Sequence, residues 1–207
     1  CASIDDYMNN VIKKHEKTLA KKEKDRINHV NITNANTGPI FLTYRKNSAI
    51  NMAVSLWMNE KEPAYDFEAD GVQQTVWVVD DSEVINRLSS LFKEVDALYI
   101  ADGHHRCASA VRVGQMRREE NPDYTGSEEF NFFLAVAFPD DELEIMDYNR
   151  VVKDLNGMTG DEFLSRVFEN FEIKKEDAPY HPVARHTFGM YLDKEWYSLK
   201  AKKAIID

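Results

Sequence analysis

The residues best suited to chemistry lie together in one short segment near the middle of the sequence. An apolar run is followed there by Asp102, Gly103, His104, His105 and Arg106. This order predicts a strand, a tight turn and the start of a helix. The first turn of a helix has N–H groups without intrahelical partners and carries a partial positive charge. Gly103 lets backbone approach a ligand closely, Arg106 offers a guanidinium matched to phosphate oxygens, and the two histidines add donors. We therefore predict an anion site whose natural ligand is phosphate.

Asp102 departs from this pattern, because a carboxylate beside a phosphate is repulsive. It suits the site if it caps the helix, holds a metal ion or takes a proton. A purely structural alternative makes Asp102 a helix cap and leaves both histidines exposed. A second alternative is a zinc site of Asp102, His104 and His105, although helical zinc ligands usually lie four residues apart. A third is a nucleophilic Cys107, whose thiolate a helix N-terminus favours, but a buried and inert thiol is more common.

The elements that must position these residues follow from apolar periodicity and from capping or turn residues. Helices are predicted from Ser3, over 19–33 after Thr18, over 48–59, after an Asp80-Asp81-Ser82 cap with an apolar face over 84–92, over 105–118 and after Thr159. Strands are predicted over 40–44, 64–69, 74–79, 97–101, 130–138, 143–148, 186–192 and 196–200, with a hairpin turn at Asp70-Gly71. Residues 11–16 suit a short strand or more helix. The mixed order predicts an α+β fold, a mixed sheet with packed helices, in a single domain over residues 1–207.

Composition excludes several classes of protein. The chain has 207 residues, a net charge of −10, and 43% hydrophobic and 30% charged residues, which are globular values. Two cysteines exclude a disulfide framework, and no apolar run is long enough to span a membrane, so we expect a cytoplasmic protein. An acidic chain is an unlikely nucleic-acid partner. Residues 11–30, however, carry seven basic residues against three acidic ones, so a local anionic ligand remains compatible.

The ends of the sequence suggest a piece of a longer protein. It begins with Cys1 instead of methionine, and it stops at Asp207 without a cap or tail. An N-terminal cysteine nucleophile and a lipid-anchored cysteine are the alternatives for Cys1. We expect instead that the chain starts and stops inside a longer one.

The hexapeptide Ala101–Arg106 resembles the signature of a bacterial and archaeal family, domain of unknown function 1015. The resemblance extends along most of the chain and includes His15-Glu16-Lys17-Thr18, Lys24-Asp25-Arg26, Gly38-Pro39-Ile40-Phe41, Val76-Trp77 and Tyr148-Asn149-Arg150-Val151-Val152. Members of that family look longer than this chain.

More distantly, residues 98–118 are similar to the strand–Gly turn–helix core of the ParB and sulfiredoxin superfamily. That resemblance implies that the turn holds nucleotide phosphates, as in CTP-binding partition proteins, sulfiredoxin and free-serine kinases. Sulfiredoxin has its catalytic cysteine where this chain has His104, so sulfinic-acid reduction is not expected. Partition proteins carry a following DNA-binding helical domain, which is not evident after Asn121. The kinases, with a similar Asp-Gly-His-His-Arg turn, are the closest chemical precedent.

Three functions follow from the resemblance. The first is a small-molecule kinase that uses ATP or ADP with Mg²⁺ and phosphorylates a hydroxyl substrate such as free serine. In such a kinase the phosphates are held by Gly103, His104, His105 and Arg106. His104 and His105 are also predicted to be catalytic. Asp102 binds Mg²⁺ or acts as base.

Residues outside the turn complete the predicted kinase site. Glu16 is the second candidate base, with a surface ion pair to Lys13 or Lys17 as its other interpretation. His15 and Arg150 are further phosphate or substrate contacts. The second function is a nucleotide-binding switch without turnover, and the third is a ParB-like DNA-associated protein. The oligomeric state is not predicted.

Overall fold

The fold is described from a computed structural model of the chain, which covers residues 1–16, 18 and 20–206. Lys17 and Leu19, the candidate partner of Glu16 and the predicted start of the second helix, lie outside the described residues, as does Asp207. Contacts divide the chain into two compact units, Cys1–Glu144 and Ile145–Asp207. The single-domain prediction stays a prediction, because a division by contacts does not show that the units fold independently.

The first unit contains eight strands and five α-helices among the residues described. Its strands are β1 Ala2–Ser3, β2 Ile12–Lys13, β3 Ile40–Tyr44, β4 Tyr65–Ala69, β5 Val72–Val76, β6 Leu98–Asp102, β7 Phe132–Phe133 and β8 Ala135–Pro139. Its helices are α1 Ile4–Met8, α2 Ala20–Thr33, α3 Ser48–Glu60, α4 Ser82–Lys93 and α5 His104–Glu120. The predicted α+β class with a mixed sheet is confirmed, and the similarity of its core to the ParB and sulfiredoxin superfamily stays a prediction.

The central sheet has the strand order β2-β6-β3-β8. Strand β6 is parallel to β2 and antiparallel to β3, whereas β3 is parallel to β8. The ladder between β3 and β6 is irregular between Phe41 and Leu42. β6 therefore lies inside the sheet: β2 pairs with its first two residues, and β3 pairs along it as far as Asp102, the residue before the turn.

Apolar side chains from the sheet, α1 and α5 form the core of this unit. The buried cluster comprises Ile4, Ile12, Ile40, Leu42, Ile100, Cys107, Ala110, Val111 and Phe133. Three of these residues belong to α5, and α5 also packs along α2. Because α5 is packed on both the core and α2, its first turn is fixed relative to the end of β6.

The second unit is a helix followed by an antiparallel sheet. Helix α6, Gly160–Asn170, begins at a complete capping box formed by Thr159 and Glu162. Strands β9 Phe171–Glu176, β10 Thr187–Leu192 and β11 Glu195–Ala201 form a sheet in the order β10-β11-β9. The sequence prediction missed β9, which is short and carries four charged residues among six.

Two strand predictions are wrong. The run over 130–138 splits into β7 and β8, because β7 pairs with β1 while β8 pairs with β3. Residues 143–148 form no strand. Ile145 and Met146 in this run are 98% and 83% exposed, so the run buries little apolar surface that could stabilise a strand.

Within the described ranges, no helix combines the length and the apolar character needed to cross a membrane.

Candidate functional site

The turn between β6 and α5 has the geometry that the sequence predicted, with one change at its cap. β6 ends at Asp102, and Gly103 occupies the N-cap position with φ 93° and ψ 28°. Gly103 has no side chain that could cap the helix, so Asp102 is not the N-cap and that alternative is wrong. α5 begins at His104, one residue earlier than predicted. The N-cap residue itself therefore does not occupy the first-turn amides of α5 with a side chain.

Arg106 lies across the backbone of two glycines. A Cβ built on Gly103 would lie 3.3 Å from Nε and Nη2 of Arg106, and one built on Gly38 would lie 3.1 Å from its Nη1. Nη2 donates to Oδ2 of Asp102 at 3.1 Å. The Arg106 side chain is 39% exposed and that of Asp102 is 75% exposed. The guanidinium is thus positioned by backbone, and its one described carboxylate partner is an exposed one.

His104 turns into the protein instead of toward solvent. The residue is 5% exposed, and its Nδ1 lies 3.5 Å from Oε2 of Glu16. The ring of His15 meets the His104 ring edge-on, with centroids 4.4 Å apart. The buried Nε2 has no hydrogen-bond partner among the described residues. His15, Glu16 and His104, which the sequence could only name separately, are therefore one cluster.

Burial lowers the pKa of His104 below its usual value of 6.5, and the neighbouring His15 lowers it further. The Glu16 carboxylate acts in the opposite direction but is the weaker influence. The imidazole is therefore neutral at neutral pH, and its contact with Glu16 joins a carboxylate to an uncharged ring. A neutral His104 can donate one proton to Glu16 only as the Nδ1–H tautomer.

The zinc alternative for Asp102, His104 and His105 is wrong. No group of three His, Cys, Asp or Glu side chains within the described part of the chain could hold a metal ion. Asp102 pairs with Arg106 while the His104 ring points inward, so the two side chains diverge. His105 follows in the first turn of α5, where its carbonyl accepts a hydrogen bond from Ser109 Oγ at 2.6 Å.

Cys107 is a core residue and not a nucleophile. It is fully buried, and burial raises the pKa of its thiol to about 12. Its proximity to the N-terminus of α5 suggested a thiolate, but desolvation outweighs that effect.

Arg150, a predicted phosphate or substrate contact, belongs to the second unit. Its guanidinium lies 3.6 Å from the centroid of the Tyr148 ring, a cation–π contact within that unit. The residues gathered in the first unit are His15, Glu16, Asp102, Gly103, His104 and Arg106.

Two features of the site were missed from the sequence. One is Gly38, which was quoted only as part of a strand entry and which contacts Arg106. The other is a cavity of about 300 Å³ beside α5, lined in part by Asn36, Ala110, Val113 and Phe132. The loop composition of residues 34–39 was a signal for a turn, but nothing local shows that this loop meets α5.

The chain belongs to the family described as protein of unknown function (DUF1015), whose model matches residues 1–207. The resemblance identified from the Ala101–Arg106 signature is therefore confirmed at the level of the family. Searches of curated proteins and of solved structures found no match to the chain.

Proposed function

We propose that this chain binds the phosphates of ATP or ADP at the Gly103 turn and transfers a phosphoryl group to the hydroxyl of a small molecule such as free serine. The observation that carries the proposal is the presentation of Arg106. Its partly exposed guanidinium rests on Gly103 and Gly38, beside the uncapped N-terminus of α5. Amides, helix dipole and guanidinium then act on the same anion.

The ion pair between Arg106 and Asp102 must yield to the ligand. Exposed pairs of this kind typically contribute about 0–1 kcal/mol. A charge-assisted contact to phosphate contributes about 1.5–3 kcal/mol. Exchange of Asp102 for phosphate is therefore favourable, and it leaves the carboxylate free to serve as the protein ligand of Mg²⁺. This cation commonly uses one or two carboxylates together with substrate phosphates.

Glu16 is the proposed base. Its carboxylate is exposed, and it is placed by His104 at 3.5 Å. Glu16 takes the proton of the acceptor hydroxyl, the hydroxyl oxygen bonds to the terminal phosphorus, and the bond from that phosphorus to the leaving phosphate breaks. The leaving nucleotide keeps the electron pair, and Arg106 with the α5 amides stabilises the charge that develops. Because His104 is buried and neutral, we propose that it positions Glu16.

The binding step is tested by calorimetry with ATP and ADP on the parent chain and on Arg106→Ala. We expect the variant to lose about 1.5–3 kcal/mol of binding free energy, roughly a 10- to 150-fold rise in Kd. Arg112→Ala is the matched control, because Arg112 is also a partly exposed arginine of α5, paired with Glu119. Equal affinity of the parent and Arg106→Ala would exclude the turn as the phosphate site.

The chemical step is tested by product detection with ATP or ADP, Mg²⁺ and a panel of hydroxyl metabolites. Glu16→Gln should abolish transfer and leave nucleotide affinity within a few-fold of the parent, since Glu16 contacts the acceptor and not the phosphates. If nucleotide binds but no acceptor is phosphorylated, the chain is a nucleotide-binding switch and the kinase proposal fails.

A further inference from the structure

We propose that the cavity beside α5 holds the nucleoside part of the nucleotide whose phosphates lie at the Gly103 turn. This inference rests on the proposed function and adds a second subsite to it. The cavity, of about 300 Å³, lies between the end of α2 with its following loop, the middle of α5, and the segment that leads into β7. That volume is at the small end of the range for ligand pockets.

The cavity lies on the same face of α5 as Arg106. Ala110, Val113, Gly114 and Arg117 line it, and each of them follows Arg106 or another of the set by three or four residues. Residues with this spacing share one face of a helix. At 1.5 Å per residue, the lining starts about 6 Å from Arg106 along the helix axis and ends about 16 Å from it.

The loop on the wall opposite α5 also lies beside both the cavity and Arg106. Asn34, Ala35 and Asn36 line the cavity, and Gly38, two residues further along, contacts Arg106. One loop therefore runs from the cavity to the guanidinium, as α5 does. A ligand with its phosphates at Arg106 would extend between α5 and this loop into the cavity.

The chemistry of the lining suits a neutral, flat and hydrogen-bonding group better than a second anion. Val30, Ala110 and Val113 are apolar, and Phe130 and Phe132 add aromatic surface. Glu129 supplies an exposed carboxylate that repels phosphate but accepts from a hydroxyl or an amine. A base and a sugar fit this combination, whereas a phosphate does not.

Arg117 is less suited than Arg106 to hold the phosphates, because it lies in the last turn of α5, where the helix dipole disfavours an anion. Its Nη1 donates to Oδ1 of Asn34 at 3.0 Å, and its Nη2 donates to Oδ1 of Asn31 at 3.2 Å. It therefore ties α5 to the end of α2 and holds the wall of the cavity in place. The helix dipole thus favours the anion at Arg106 and the uncharged part of the ligand in the cavity.

The shape of the cavity also depends on a close approach at Gly114. A Cβ at that position would lie 2.5 Å from the carbonyl oxygen of Phe130, so only glycine lets this segment pack against α5. The aromatic residues that line the cavity are held in place by that approach.

Calorimetry with ATP and with inorganic tripolyphosphate separates the two subsites. Tripolyphosphate carries the phosphates without a nucleoside and has at least as much negative charge, so a purely electrostatic site binds it at least as tightly as ATP. We expect ATP to bind at least tenfold more tightly. Ala35→Trp places a large side chain at an exposed position of the cavity wall. It should lower the affinity for ATP at least tenfold and leave the affinity for tripolyphosphate unchanged.

Ile32→Trp is the control, because Ile32 is 82% exposed near the same end of α2 and does not line the cavity. It should leave both affinities unchanged. Asn36→Trp is a second blocking variant in case Ala35→Trp does not fold, as judged by circular dichroism. If the parent chain binds tripolyphosphate as tightly as ATP and neither blocking variant affects ATP, the inference about the cavity is overturned and the phosphate site stands. If the parent chain binds neither compound, the proposed function itself fails.

Discussion

At the scale of single residues, the site depends on what burial does to ionisable groups. His104 and Cys107 lie three residues apart in the first turn of α5, and both are removed from water. In each case desolvation favours the uncharged form, so the imidazole stays neutral and the thiol stays protonated. The charged groups at the turn are the exposed ones, Asp102, Arg106 and Glu16. This separation leaves Arg106 and the helix amides to hold the proposed anion.

The buried neutral histidine makes stability depend on pH. Because its folded pKa is below 6.5, the unfolded chain takes up a proton near pH 6.5 that the folded chain does not. The stabilisation is complete above pH 6.5 and is lost as pH falls below it. The free energy of unfolding, measured in urea from pH 8 to pH 5, should fall more steeply for the parent than for His104→Asn. The difference in slope should be at most about 1.4 kcal/mol per pH unit. Parallel pH profiles would show that folding does not lower the pKa of His104.

Cys107 should be unreactive toward a thiol reagent at pH 8 in the folded protein. We expect Cys1→Ser to show no labelling by a disulfide-exchange reagent until urea unfolds it, because a thiol with a pKa of about 12 and no exposed surface forms little thiolate. Cys107→Ala, which retains the exposed Cys1, should label at once. Rapid labelling of the folded Cys1→Ser variant would contradict this.

At the scale of elements, two segments distant in sequence meet at the guanidinium. β6 delivers Gly103, α5 carries Arg106, and the loop before β3 brings Gly38 against the opposite edge of the guanidinium. Position 103 requires glycine for two reasons: its φ is positive, and Arg106 occupies the space that a Cβ would fill. Position 38 requires glycine only because Arg106 occupies that space.

That difference predicts distinct effects of two alanine substitutions. Gly103→Ala should reduce stability by about 1–2 kcal/mol through backbone strain, and it should also weaken nucleotide binding. Gly38→Ala should weaken nucleotide binding with little loss of stability, because its Cβ displaces the guanidinium without strain in the backbone.

Urea unfolding and calorimetry measure the two quantities separately. Gly126→Ala is the control for strain, since Gly126 also has φ 93° but has nothing within 4 Å of the added Cβ. It should lose stability and keep full affinity. A Gly38→Ala variant with parental affinity would show that the position of the guanidinium does not matter for binding.

At the scale of the whole molecule, the chain consists of two compact units joined through a stretch without regular structure. Residues 143–159 contain no helix or strand, and Val151 within them is 97% exposed. Backbone of this kind opens at little cost in free energy, unlike the sheets and packed helices on either side.

Limited digestion with trypsin should therefore cut first after Arg150 or Lys153, which both lie in this stretch. Mass spectrometry of the early products is expected to show two fragments that meet there. Arg150→Gln combined with Lys153→Gln should delay the first cut. Early cleavage inside α5 or the central sheet would contradict this description of the molecule.

The sequence by itself determined the features that depend on neighbouring residues. The strand, turn and helix at Gly103, the helix starts capped by Ser3, Asp81 and Thr159, and the Asp70-Gly71 hairpin are local choices of backbone and capping chemistry. Family membership also followed from a contiguous signature.

Only the tertiary structure decided which way His104 points, that Gly38 contacts Arg106, and that a cavity lies along α5. It also gave the 130–138 run two separate strand partners and left 143–148 unpaired. These features depend on contacts between segments tens of residues apart. Periodicity and propensity describe what one segment favours and not which segment it will meet.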